Sequence, residues 1–133
     1  MRAMLDTNTC IFVMNNNAAI RSLFIKEYPF GLAISAITEA ELWIDIENSG
    51  NPANNAETLR AFLATVEILA FDIMAAAEFG RVRAKLKRAG TPIGERDTLI
   101  AAHAKALGLT LVTNNTCEFK CVEGLSIEDW MEM

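Results

Sequence analysis

The feature that most constrains this chain is a repeated alternation. Short, mostly apolar runs are each followed by a stretch with helical spacing. The runs are Ala3-Met4-Leu5, Leu32-Ala33-Ile34, Ile68-Leu69-Ala70-Phe71 and Leu109-Thr110-Leu111-Val112, with a last extended piece near Leu125-Ser126-Ile127. A strand with one wet face alternates apolar and polar residues, and the first three runs do not, so both of their faces must be covered. The helical stretches lie between them. Residues 8 to 28 are broken at Asn15-Asn16-Asn17 and ended by Pro29. A helix follows Ser35 and Thr38, with Ile37, Leu42, Trp43 and Ile46 on its apolar side. Another spans Ala53 to about Val66. Asp72 caps the next, which carries Phe79, Val82 and Leu86 and stops at Gly90. The last runs from Glu95 to Leu107 with Gly108 as terminator. Strands alternating with helices predict a parallel sheet with helices on both faces. Right-handed crossovers then gather all strand carboxyl ends on one edge, where open α/β sheets place their ligands.

Length and composition fit a single domain over residues 1–133 with a full core. No apolar run approaches the ~18 residues a membrane span needs, and no signal-peptide core precedes Asp6. The expectation is a cytoplasmic protein without a membrane partner. Three cysteines, Cys10, Cys117 and Cys121, form no CxxC pair, which predicts reduced and partly buried thiols rather than a disulfide framework or a zinc site. The net charge of −5 argues against a simple basic nucleic-acid coat protein and suits a chain that gathers carboxylates around a divalent cation.

Four segments bring acidic or amide groups to the predicted edge. Asp6 ends the first strand, Glu41 lies early in the helix after the second, and Asp97 opens the helix before the fourth. Thr113, Asn114, Asn115 and Glu118 follow the fourth strand. Each also has a purely structural explanation. Asp6 suits a helix cap, Glu41 completes a Thr38-x-x-Glu41 capping box, Asp97 favours a helix N-terminus, and Glu118 suits a solvated surface. Caps need not converge, however, and these residues do. Crowded carboxylates raise one another's ionisation cost, which a hard cation such as Mg²⁺ or Mn²⁺ removes. The remaining inventory narrows the chemistry. His103, the single histidine, shares a stripe with Leu99 and Leu107 and is expected to pack, which leaves no histidine for a Ser-His-Asp or Cys-His engine. No Walker A loop or GxGxxG is present. Metal-assisted attack of water on a phosphoester is what this inventory supports, the ion polarising the phosphoryl oxygens and activating the water.

The runs MLDTN, ISAITEAELW, GTPIGERDTLIAAHAKALG and LVTNNTCEFKCVEGLSIEDW resemble the PIN-domain ribonucleases and, within them, the VapC-type toxins of bacterial toxin–antitoxin pairs. The resemblance covers essentially the whole chain. It implies a three-layer α/β/α fold with a central parallel sheet of four to five strands. The implied activity is that of a Mg²⁺- or Mn²⁺-dependent endoribonuclease cutting structured RNA, a tRNA or an rRNA loop, and so stopping translation. Homodimers are usual in the family. A VapB-type antitoxin wraps the groove with its C-terminal segment and often inserts a basic side chain among the carboxylates. Position by position, Asp6, Glu41 and Asp97 match the family's three central acids. Asp6 and Asp97 would be the main metal ligands, with Glu41 assisting and Glu118 orienting water or binding a second ion. Many members carry an aspartate where this chain has Asn115, which favours one tightly held cation over two. Thr7, Asn8, Thr113 and Asn114, with Asn115, would support the ligands by hydrogen bonds.

Arg81, Arg83, Lys85, Lys87 and Arg88 gather five of the twelve basic residues into one window. A solvated helix flank is the plain reading. A phosphate-contacting rim formed by Arg81, Lys85 and Arg88 is the functional one. Asp45, four residues after Glu41, lies within reach of the groove, but a surface helix residue is the preferred reading. Two rival functions remain at this stage. Another Mg²⁺ phosphohydrolase is disfavoured because Asp6 is followed by Thr7-Asn8 rather than a DxDx[TV] pattern. A non-catalytic PIN-fold binding module is disfavoured by retention of the three acids and slightly favoured by Asn115.

Overall fold

The computed structural model describes residues 1–132. The chain runs β1 (Ala3–Leu5), α1 (Thr7–Met14), α2 (Ala18–Glu27), a 3₁₀ turn at Tyr28–Phe30, β2 (Leu32–Ser35), α3 (Ala36–Glu47), α4 (Pro52–Leu63) and β3 (Glu67–Leu69). It continues through α5 (Ile73–Ala89), α6 (Glu95–Leu107), β4 (Thr110–Val112), α7 (Thr116–Phe119) and β5 (Ile127–Glu128). All pairings are parallel, in the order β3-β2-β1-β4-β5. Helices cover both faces, giving the expected three-layer α/β/α architecture.

Local chemistry accounts for most boundaries. Asp6, Asn17, Ser35 and Asp72 each accept a backbone N–H at a helix start. Gly90 and Gly108 end α5 and α6 in the left-handed conformation, which only glycine adopts without a Cβ clash. Side chains of β1 alternate between two cores. Ala3 and Leu5 join Val13, Phe24, Leu59 and Phe62 on the α1/α2/α4 face. Met4 joins Val82, Leu86, Ile100 and Phe119 on the α5/α6 face. Burial of these apolar side chains on both faces is what holds the short strands in register.

Three expectations need correction. β3 sits one residue earlier than the apolar run suggests, and at the edge of the sheet it leaves Glu67 and Ile68 exposed. An edge strand lacks a neighbour on one side, so its apolar run need not be buried. The Thr38-x-x-Glu41 capping box does not form. Ser35 caps α3 through Ile37 N, while Thr38 lies inside the helix with its hydroxyl buried and unpaired. Of the three thiols only Cys10 is buried, and Cys117 and Cys121 are exposed.

The connection order places the site. The chain builds β1, β2 and β3 outward in one direction, then crosses back to lay β4 on the other side of β1. The carboxyl ends of β1 and β4 therefore flank the point where the sheet reverses direction. Loops diverge there and leave a crevice.

Candidate active site

Asp6 is both a cap and a cleft residue. Its N–H extends the sheet to Val112 O at 3.0 Å, and its Oδ1 accepts from Thr9 N at 2.9 Å. Thr9 is pinned in turn by donating to Val112 O. Only 5% exposed, the Asp6 carboxyl is pushed above the ordinary carboxylate range by burial. Hydrogen bonds from Thr113 and Thr9 pull it partly back, and the charge of Glu41 adds to the rise. Cys10, buried behind it, has its thiol pushed well up by burial and then by the Asp6 charge, which keeps it protonated and unreactive.

Glu41 lies one turn inside α3 and reaches over the cleft toward two partners. Thr7 Oγ1 donates to its Oε1 at 2.6 Å, and Arg96 Nε stands 3.5 Å from its Oε2. Asp97 is the third residue of α6, whose start is fixed by the Thr98 hydroxyl donating to Gly94 O at 2.8 Å. The Asp97 carboxyl is raised by burial first, then by the charges of Glu41, Glu118 and Asp6, with Arg96 opposing. Those contributions place all four acids within electrostatic reach of one another.

Asp6, Thr7, Asn8, Glu41, Arg96 and Asp97 line a cleft of about 330 Å³, with Asp45 at its rim. Glu118 is exposed outside that lining and accepts from Asn115 Nδ2 at 3.1 Å. Thr113 is fully buried, and its hydroxyl accepts from Asn115 N at 3.0 Å. Asn114 is exposed. The structure thus draws Asp6, Thr7, Asn8, Glu41 and Asp97 into one cleft. Thr113 and Asn115 stand behind it, and Glu118 beside it.

The α5 basic cluster lies elsewhere. Arg81 is bound to Glu78 at 2.7 Å and Lys85 to Glu123 at 3.2 Å, while Arg88 is exposed. None of the three lines the acidic cleft. Arg96 was missed by sequence reasoning, being visible only as the neighbour of Asp97. Asp45 is an exposed helix residue, as preferred from the sequence, and also lines the cleft.

The donors are all hard oxygens, chemically suited to Mg²⁺ or Mn²⁺. Among the described residues no three acidic, histidine or cysteine side chains form a ready ligating cluster.

The PIN-domain family model matches residues 3–123. The chain belongs to the VapC family of PIN-domain proteins. It is 43% identical to the tRNA(fMet)-specific endonuclease VapC of Salmonella typhimurium over 131 residues, covering 98% of both proteins. The crystal structure of DNA-bound VapBC from Salmonella typhimurium superposes with a TM-score of 0.93 over 98% of each chain, at 43% identity. VapBC2 from Rickettsia felis, bound to a fragment of its promoter, gives a TM-score of 0.93 at 36% identity, covering 98% of this VapC chain and 99% of that one.

Proposed function

We propose that this VapC chain is a Mg²⁺- or Mn²⁺-dependent endoribonuclease toxin that hydrolyses a phosphodiester bond in a structured RNA and so blocks translation. A tRNA is the favoured substrate, because the Salmonella relative is named for cleavage of tRNA(fMet). The observation that carries the reading is the convergence of Asp6, Glu41 and Asp97 on one cleft at the sheet's reversal point. Asp6 and Asp97, both raised in pKa, are the groups that gain most from a cation and would hold it. Glu41 would assist, and Glu118 would orient the attacking water. Asn115, neutral and bonded to Glu118, supports a single tightly held ion. When bound, the ion would polarise the phosphoryl oxygens and lower the pKa of the attacking water. Thr7 holds Glu41 in line and Thr113 steadies Asp6, which keeps the acids aimed before substrate arrives.

A VapB-type antitoxin is the proposed partner. A groove of about 430 Å³ between α1, α2 and α4 shares Met14 and Thr58 with one of about 250 Å³. The second groove shares Ile11 and Asp45 with the acidic cleft. An extended apolar segment lying along this path and ending in a basic side chain would cover the grooves and neutralise the acids. A homodimer is supported by Ile68, Ile73 and Met74, exposed within one short stretch at the edge strand.

Cleavage of total RNA by the purified protein in Mn²⁺, with Asp6→Asn as control, tests the activity. Fragmentation by the native chain and none by the variant is expected. Equal cleavage by both, or by neither, overturns the reading.

A further inference from the structure

We propose that Arg96 is a substrate-binding residue. In the free protein its guanidinium rests against Glu41, and on substrate arrival it turns to clamp the scissile phosphate. The inference rests on the endoribonuclease reading above and assigns a role to a side chain that reading leaves unused.

Four observations support it. Arg96 is the one basic side chain lining the acidic cleft among the described residues, facing Asp6, Glu41, Asp45 and Asp97. A net charge of −5 and four acids in the cleft repel a polyanion, and a single divalent ion leaves part of that repulsion in place. A cation on the cleft wall offsets the rest. Second, the contact with Glu41 is loose. Its shortest approach is Nε at 3.5 Å, well beyond the usual ~2.7–2.9 Å of a charge-assisted bond. Glu41 is already held by Thr7 at 2.6 Å, so releasing Arg96 does not release Glu41.

Third, no acidic side chain approaches the guanidinium closer than that 3.5 Å, and the side chain is 58% exposed. That leaves the planar fork of N–H donors open to the two non-bridging oxygens of a phosphodiester, which it matches in geometry. The anchor is rigid while the arm is free, because the first turn of α6 is tied down by buried Thr98. Fourth, none of the other candidate cations, Arg81, Lys85 and Arg88, lines the cleft. Arg81 and Lys85 are paired with Glu78 and Glu123, away from the cleft. The clamp would position the phosphate against the acids and neutralise charge that builds on its oxygens during attack.

The test compares the native chain with Arg96→Ala and Arg96→Lys in three measurements. A labelled tRNA is bound in EDTA across a salt series, Mn²⁺ binding is followed by calorimetry, and tRNA cleavage is followed in Mn²⁺. Arg96→Ala should weaken RNA binding and flatten its salt slope by about 1, the loss of one phosphate contact. It should bind Mn²⁺ as well as the native chain or better, since a competing cation has gone. Cleavage should fall by about 10²-fold, with Arg96→Lys recovering part of it. An unchanged salt slope overturns the proposal. Loss of Mn²⁺ affinity in parallel with RNA binding also overturns it, because Arg96 would then serve only to hold Glu41. If no protein cleaves yet the slope falls as expected, the clamp stands and the ribonuclease reading fails. If all three cleave equally with equal slopes, the clamp fails and the ribonuclease reading stands.

Discussion

The Thr7 hydroxyl donates to Glu41 Oε1 at 2.6 Å, tying the first residue of α1 to the second turn of α3 across the mouth of the cleft. The bond joins segments that follow two neighbouring strands, β1 and β2, so its geometry is inherited from the sheet register. It holds one oxygen of Glu41 and leaves the other to Arg96. Replacing Thr7 with Val keeps the shape and removes the donor. Mn²⁺ affinity should fall about 10-fold, in line with the loss of a hydrogen bond that orients a ligand. Stability should change by less than about 1.5 kcal/mol, the net worth of one such bond. Calorimetry and a thermal melt on the same sample separate the two, and unchanged affinity would remove Thr7 from the site.

Asp6 has two tasks that different substitutions split. Asn accepts the Thr9 N–H as well as Asp does, whereas Ala cannot, and losing a cap costs about 1 kcal/mol. Asp6→Ala should therefore melt below Asp6→Asn by several degrees. Both should be inactive on RNA. Equal melting temperatures for the two variants would show that the cap contributes nothing to α1.

The raised carboxyl of Asp97 makes a signed prediction in the absence of metal. A carboxyl whose folded pKa lies above its unfolded value contributes stability at low pH. That contribution is lost as pH rises from the unfolded value, 3.8, through the folded one. Asp97→Asn escapes this loss. Its melting temperature should exceed that of the native protein at neutral pH, and the gap should close on acidification below 3.8. Adding Mn²⁺ at neutral pH should raise the native melting temperature and leave the variant nearly unmoved. A pH-independent gap would place Asp97 outside the electrostatic cluster.

His103 is a reporter as well as a support. It is 1% exposed, with Nδ1 2.8 Å from Ser35 Oγ, and Phe71 meets its ring edge-on. The Ser35 oxygen already accepts from Ile37 N, so its own proton is free to go to Nδ1. Burial lowers the imidazole's pKa, with the Asp72 charge and a hydrogen bond involving the Ala70 backbone opposing. As the chain's single histidine, it is read directly by proton NMR titration, which should give a midpoint below 6.5. The unfolded chain binds this proton first, so the stability it affects is whole above 6.5 and declines as pH falls below that value. A midpoint at or above 6.5 would contradict the buried neutral ring.

At the opposite end of β1, Arg2 joins Glu27 of α2 at 3.1 Å and Glu128 of β5 at 2.7 Å. Burial pushes the Glu128 carboxyl up, but bonds from Arg2 and Trp130 more than offset it, and the group ends below its ordinary value. Arg2→Met should destabilise the fold by about 1–2 kcal/mol at neutral pH, because it strips a part-buried carboxylate of its partner. The loss should shrink as pH falls and Glu128 protonates. A denaturant titration at two pH values measures both.

Local interactions made much of this protein readable in advance. The caps at Asp6 and Asp72, the stops at Gly90 and Gly108, and the apolar runs of β1, β2 and β4 depend on neighbours within about one helical turn or on burial of the whole run. Asp6, Glu41 and Asp97 were legible because each follows such an element at a fixed offset. Errors began where a choice depended on distant chain. Ser35 rather than Thr38 caps α3 because Thr38 is packed inside the fold. β3 exposes Ile68 because the crossover to β4 leaves that strand at the edge.

The sequence by itself determined the order of elements, the parallel sheet and the acids at strand ends and helix starts, because periodicity, capping and glycine stops act along a short length of chain. Only the tertiary structure decided which side chains meet across the cleft. Thr7 holds Glu41 with Arg96 resting beside it, and Arg81 and Lys85 pair with Glu78 and Glu123. Those pairings follow from the strand order β3-β2-β1-β4-β5 and the packing of the α5–α6 pair against it. A charge finds its partner by distance in space, and that distance is set only once the sheet has closed its register.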